Sequence, residues 1–223
     1  FGAEPFGLPI RWRPLTWEVD GVTYCHERVT VTQQTGFSFI AQMRSWLPNP
    51  IGGILWFGVD DASCSIYMPM YCSITKAPYS IERGHGAMMT WSDDAAFWVF
   101  NQVSNFAYTR WNIIYPEILE KIHNYEQEFI INTSTIDTKA LALFKENPES
   151  AINYLTDYST RLGDKVTDDW RHFYRYLFMK YMDGNKKTPI DGEMNPKVEW
   201  PGYPEKWRRK VVEETGDQFK VIE

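Results

Sequence analysis

Arg11 and Arg13 flank Trp12 within Leu8-Pro9-Ile10-Arg11-Trp12-Arg13-Pro14, where a loop-like start gives way to β-patterned sequence. A guanidinium is a planar fork of N–H donors that matches a carboxylate, so an arginine held here is a candidate anion receiver. Stacking on Trp12 or Trp17, or a surface ion pair, explains the same residues without a ligand. Arg28, next to Glu27 on an expected strand, is a second candidate cation, with an ordinary salt bridge as the plain reading. Cys25 and His26 are also neighbours on an expected strand. Adjacent strand residues face opposite sides, so these two do not pair directly as nucleophile and base.

The remaining reactive residue types form no catalytic or metal pattern. His26, His85, His123 and His172 show no H-x-x-x-H or H-E-x-x-H spacing. Cys25, Cys64 and Cys72 contain no C-x-x-C pair; they read as small buried hydrophobes and leave the compartment open, cytoplasmic or periplasmic/secreted. The acidic pairs Asp60-Asp61, Asp93-Asp94 and Asp168-Asp169 read as a turn, a helix start and a solvated helix face. There is no G-x-S-x-G elbow, Walker loop or G-x-G-x-x-G, so phosphate-binding enzymes lose support. Neither a metal nor a cofactor is expected.

The elements that must position these residues change type along the chain. From Val22 to Met70 the pattern is β: Val29 and Val31 alternate with Thr30 and Thr32, and Phe37, Phe39, Ala41 and Met43 alternate after Gly36, which together predict a hairpin. Ile54 to Val59 predicts a further strand, and Cys64, Ile66, Met68 and Met70 one face of a fourth, with Pro69 at its end or on an edge. Ser92 is the expected N-cap of a long helix whose apolar residues recur from Phe97 through Phe100, Val103, Ala107 and Trp111 to Ile114, with Pro116 as a kink or restart. Asn147-Pro148 predicts the start of another long helix, closed by Gly184. Lys186 to Pro204 reads as an arm, Glu205 to Thr215 as a short helix, and Gln218 to Ile222 as a terminal strand. Strands first and helices after, without βαβ alternation, predict an α+β layered fold. The chain reads as a single domain portion: 1–80 mainly strands, 91–184 long helices, and 185–223 an arm with a short helix and strand.

Composition bounds the partners. The chain has 223 residues, 23 Lys and Arg against 29 Asp and Glu, and a formal net charge of -6. That balance argues against nucleic acid, which needs a dense basic surface; Lys206 to Lys210 is the local exception and reads as a solvated helix face. No apolar run approaches the roughly 20 residues that span a bilayer, so no membrane partner is expected. Aromatics make up 16% of the residues, which suits extensive packing between elements or subunits, a homo-oligomer included.

Six ordered pieces carry a resemblance. Phe6-Gly7-Leu8-Pro9-Ile10-Arg11, Glu27-Arg28-Val29, Ser45-Trp46-Leu47-Pro48 with Gly52-Gly53-Ile54-Leu55-Trp56, Tyr67-Met68-Pro69-Met70-Tyr71, Ala96-Phe97-Trp98-Val99-Phe100-Asn101 and Gly202-Tyr203-Pro204-Glu205-Lys206-Trp207 are similar to the later half of the C69 dipeptidases. The resemblance implies an N-terminal nucleophile hydrolase, an αββα sandwich of two antiparallel sheets flanked by helices. In that family a cysteine made N-terminal by processing attacks the amide carbonyl of a dipeptide, with its own α-amino group as base. Phe1 cannot play that part, so the resemblance places the nucleophile on an upstream half of the same precursor, and Cys25, Cys64 and Cys72 outside the family's pattern. By further resemblance to related amide hydrolases, Pro9-Ile10-Arg11 presents Arg11 to that nucleophile, with Arg28 as second choice. Two other readings stay open: a noncatalytic partner or inactive fragment of the same fold, and an aromatic-rich carbohydrate-binding module.

Overall fold

The computed structural model describes residues 5–222; the beginning of the loop-like start, Phe1 to Glu4, lies outside them. The described residues form five α-helices and three small antiparallel sheets, an α+β architecture. β1 (Thr16–Val19) and β2 (Val22–Cys25) make a hairpin turned at Asp20-Gly21, both at positive φ, which glycine adopts freely and aspartate tolerates. β3 (Phe37–Met43), β4 (Gly53–Val59) and β5 (Met68–Tyr71) make the main sheet in the order β3-β4-β5, with the short helix α1 (Asn49–Gly52) between β3 and β4. The register sets Ile40 against Trp56 and Trp56 against Pro69, so Pro69 lies on an edge strand, where a missing N–H breaks no ladder.

Two strand expectations need correction. Val29 to Thr32 belongs to no strand, because the partner its alternation called for, Phe37–Met43, is paired along its whole length with β4. The fourth strand begins at Met68, not Cys64. Cys64 and Ile66 are nonetheless fully buried, so the alternation reported which side faces the core and not how far the ladder extends.

The helices are α2 (Ala96–Thr109), α3 (Trp111–Glu146) and α4 (Pro148–Tyr181). The continuous helix expected from Ser92 to Ile114 is broken at Arg110, whose backbone is non-helical, and α3 then runs through Pro116. Ser92 caps nothing: its hydroxyl donates to the Asp94 carboxylate at 2.5 Å, and the helix begins after Ala95. Asn147 does cap as its type predicts, accepting the Glu149 N–H at 3.0 Å with Pro148 in the first turn. The expected arm contains a hairpin of β6 (Lys186–Thr188) and β7 (Lys197–Glu199), α5 (Glu205–Thr215) has its expected bounds, and a 3-10 turn at Gly216–Phe219 replaces the start of the expected terminal strand.

The main core joins the three long helices to the chain before β1 and to the end of the sheet. Phe100 and Trp170 stack at its centre with ring centroids 5.4 Å apart, and Leu8, Ile10, Val59 and Met68 share the cluster. A smaller core packs Ile54 and Tyr71 of the sheet against Ala140 of α3 and Leu155 of α4. There a buried guanidinium, Arg44, pairs with Asp137; Tyr71 donates to the same carboxylate at 2.7 Å, and Arg44 Nη2 also donates to the Ile51 carbonyl at 2.6 Å. β3 itself is open on both sides: Phe37, Phe39 and Met43, which alternate on one side, are 60%, 55% and 74% exposed, and Ile40 on the other is 57% exposed.

Candidate functional site

Arg11 is held from beneath and from the side. Leu8 and Ile10 are buried in the main core, which pins the segment that carries it. Its Nη1 donates to the carbonyls of Pro9 and Ile10 at 3.2 Å each, and its own carbonyl accepts the Gln33 side-chain amide at 3.1 Å. Arg11, Arg13 and Arg28 line one depression together with Leu15, Val29 and Thr32. The two arginines that the sequence offered as alternatives are therefore neighbours. Arg28 reaches the depression from a loop, not from the expected strand, because the chain after Cys25 leaves the β1–β2 hairpin and returns past Leu15, whose carbonyl accepts the His26 N–H at 2.8 Å. The depression encloses only about 20 Å³, little more than one water needs, so an anion is met across its mouth by the arginines and not enclosed.

The cysteines are poorly placed for nucleophilic work. Cys64 is buried, and burial together with the nearby Asp61 charge pushes its thiol well above the usual range, the opposite of what a reactive thiolate needs. Cys25 is exposed, and its thiol is directed at the backbone carbonyl of His26 at 3.3 Å, while the His26 ring packs on Trp17 with centroids 5.0 Å apart. Cys72 is exposed at the end of β5.

The end of β4 holds a feature the sequence reading treated as a plain turn. Asp60 sits at φ 67°, and both Asp60 and Asp61 are buried, at 3% and 0% exposure. Asp60 accepts from the Ser104 hydroxyl at 2.5 Å. Asp61 accepts from the Ser63 N–H and hydroxyl at 2.8 and 2.7 Å and from the Tyr108 hydroxyl at 2.5 Å. Among the described residues no cation forms an ion pair with either carboxylate. Burial dominates at Asp60 and, despite the Ser104 hydrogen bond, pushes its carboxyl up to about 7. Burial and the bond to Asp61 also push the Tyr108 hydroxyl up. One signal was available: the acids follow the apolar strand Ile54 to Val59 and precede the Cys64-Ile66-Met68 alternation, so buried sequence lies on both sides of them.

Other side chains of the expected kind are structural. Asn101 and Asn105 on α2 donate to carbonyls one turn back, Phe97 and Asn101. Asp93, Asp94 and Asp168 rim a recess of about 180 Å³ with Arg171, which pairs with Asp168. Among the described residues no cluster of three or more His, Cys, Asp or Glu could hold a metal ion, and no helix is long and apolar enough to cross a membrane.

Compared with known proteins, the model of peptidase family C69 matches residues 17–126, about half of the chain. The match takes in Arg28, the Asp60-Asp61 turn and Tyr108, and leaves Arg11 just outside. No curated protein and no solved structure matches.

Proposed function

We propose, for a chain that carries a peptidase family C69 region at residues 17–126, that it supplies one part of a cysteine dipeptidase whose nucleophile, an N-terminal cysteine, lies on an upstream part of the same precursor. The family makes the region that of a peptidase, a hydrolase of amide bonds. Dipeptides as substrate and a thiol as nucleophile are the finer reading, as is the αββα sandwich in which the main sheet is one of two stacked layers.

The observation that carries this reading is the open face of β3. Along this seven-residue edge strand Phe37, Phe39 and Met43 on one side and Ile40 on the other are more than half exposed, and a second sheet laid over the Phe37 side would cover the larger of the two apolar sets. The opposite sheet is the share of the upstream part, which also brings the cysteine. The arginine depression then serves it: a fixed guanidinium near the nucleophile favours the thiolate and stabilises the oxyanion that forms when the thiolate attacks the amide carbonyl.

Activity assays of the chain with and without an upstream fragment bearing a terminal cysteine test this. Dipeptide hydrolysis is expected only from the pair; hydrolysis by the verified chain alone overturns the two-part reading. In the active pair, Arg11→Ala is expected to lower kcat/KM by about 10²-fold or more, the cost of losing an oxyanion contact, and Arg11→Lys by less, since lysine keeps the charge without the fork. Near-normal turnover of Arg11→Ala with loss in Arg28→Ala moves the role to Arg28, inside the family match. No effect from either leaves this chain as scaffold, a noncatalytic partner.

A further inference from the structure

We propose that Asp61 is a positioning residue for the arginine depression: its buried carboxylate fixes Tyr108, and Tyr108 fixes the Arg11-Trp12-Arg13 segment that forms one side of the depression. The proposal rests on the reading of that depression as an anion receiver, and it names the part of the molecule that keeps the receiver in place.

Core packing does not call for two adjacent carboxylates at the end of an apolar strand. Two apolar side chains of similar volume would fill the same space without the desolvation that Asp60 and Asp61 suffer. What the acids supply is direction. Asp61 divides its oxygens: Oδ1 takes both donors of Ser63 and closes the turn after β4, and Oδ2 takes the Tyr108 hydroxyl at 2.5 Å. Tyr108 is itself buried and stacks on Trp111 with centroids 6.2 Å apart, and the Asp61 bond adds the direction in which its hydroxyl end is drawn. Trp12 meets that ring edge to face, with centroids 6.0 Å apart and planes at 87°. Trp12 is 57% exposed, so burial alone does not fix it and the Tyr108 ring is the aromatic partner against which it rests. Arg11 and Arg13 are its two chain neighbours, and both line the depression.

A second tether leaves the same turn and ends on the same residue. The Asp60 N–H donates to the Gly36 carbonyl at 2.9 Å, and the Thr35 N–H closes a turn on Thr32 at 3.1 Å. The Gln33 amide within that turn donates to the Arg11 carbonyl at 3.1 Å. The first route starts from the Asp61 carboxylate; the second uses the Asp60 backbone N–H, which any residue at that position supplies, and ends on the Gln33 side chain.

The test uses the whole chain labelled with 5-fluorotryptophan, with the Trp12 fluorine resonance assigned by Trp12→Phe. Tyr108→Phe keeps the ring and removes the hydroxyl. The Trp12 resonance is expected to move while that of the core residue Trp170 stays, and Asp61→Asn is expected to move the same signal. Inorganic phosphate, titrated as a probe of the depression, is expected to bind about tenfold weaker in Tyr108→Phe than in the parent. A Trp12 resonance that stays in place in both variants overturns the proposal, even if the melting temperature falls. Should either variant lose its fold, Ser63→Ala decides: at a half-buried turn position it removes one of the donors that hold the Asp61 carboxylate, and an unmoved Trp12 signal with unchanged phosphate binding again overturns the proposal. A parent chain that ignores phosphate overturns the anion-receiver reading instead, while the Trp12 resonances still judge the positioning.

Discussion

Phe100 and Phe39 are the same residue on two regular elements, and they end in opposite surroundings. Phe100, on α2, has none of its surface exposed and stacks on Trp170 of α4; Phe39, on β3, leaves 55% of its surface open beside Phe37 and Met43. The helical body buries its central stripes within the chain, because α2, α3 and α4 are long, consecutive and able to fold back on one another, although Ile130, Ile131 and Met179 stay exposed. The sheet front does not. β3 is paired along one edge only, and apolar side chains on both of its sides, Ile40 as well as Phe37, Phe39 and Met43, stay more than half exposed. Apolar patterning of equal strength therefore ends buried in one region and exposed in the other, and on the proposed reading the front is the surface that an upstream part would cover.

The largest effects are expected in the body. Phe100→Ala should cost about 3 to 5 kcal/mol, the transfer loss plus the cavity left beside Trp170. Arg44→Ala should cost a similar amount, about 3 to 5 kcal/mol, because it leaves the half-buried Asp137 without its cation and the Ile51 carbonyl without its donor. Chemical denaturation of the isolated chain measures both. If Phe100→Ala cost no more than Phe39→Ala does in the same chain, the contrast between the two regions would be broken.

An intermediate effect probes the seam between them. The buried Asp60 carboxyl is pushed up to about 7 from an ordinary 3.8, so the folded chain holds that proton more tightly than the unfolded chain. The stability this supplies is fully present below about pH 4 and is lost as pH rises through about 7. Stability should therefore fall between pH 5 and pH 8, by on the order of 2 to 4 kcal/mol. The groups facing Asp60 are Asp61, Cys64, Ser104 and Tyr108. Asp60→Asn should flatten that slope in melting curves taken across the range; an unchanged slope would show that another group carries it.

Where local rules apply, the sequence was readable. Asn147-Pro148 started α4 because a side-chain cap and a proline without an N–H act on the first turn alone, and α5 took its expected bounds at Glu205 and Thr215. Residues whose role depends on distant partners were not readable. Arg44 and Asp137 are 93 positions apart, and Asp60 and Ser104 are 44 apart, so neither burial nor pairing leaves a periodic trace. The break at Arg110 also escaped, since apolar spacing continues across it from Ala107 to Trp111 and Ile114. Both candidate arginines could be named from their neighbours, Pro9 and Glu27, yet their shared depression could not, because it exists only where the loop after β2 returns past Leu15.

A smaller effect tests whether the body's helices depend on their caps. Asn147→Ala removes the acceptor for the Glu149 N–H and should cost about 1 kcal/mol. A loss well below that would mean that the packing of α3 against α4 holds the turn without help. Thermal melts at matched protein concentration read the difference.

The smallest effect is expected at Phe39 itself, and it bears most on the comparison. Phe39→Ser in the isolated chain should change unfolding free energy by about 0.5 kcal/mol or less, since a side chain already half in water loses little when shortened and the strand pairing with Phe57 uses only backbone groups. The same substitution should raise solubility by shrinking the patch that Phe37, Phe39 and Met43 form. In the presence of the proposed upstream part the ranking should invert: Phe39→Ser should weaken association strongly, because the face it removes is then the centre of a packed layer, whereas Asn147→Ala should leave association unchanged. Binding measured by titration calorimetry separates the cases. Association that is indifferent to Phe39→Ser and to Met43→Ser would mean that the open face belongs to this chain as it stands, and that the exposed phenylalanines of β3 record no missing sheet.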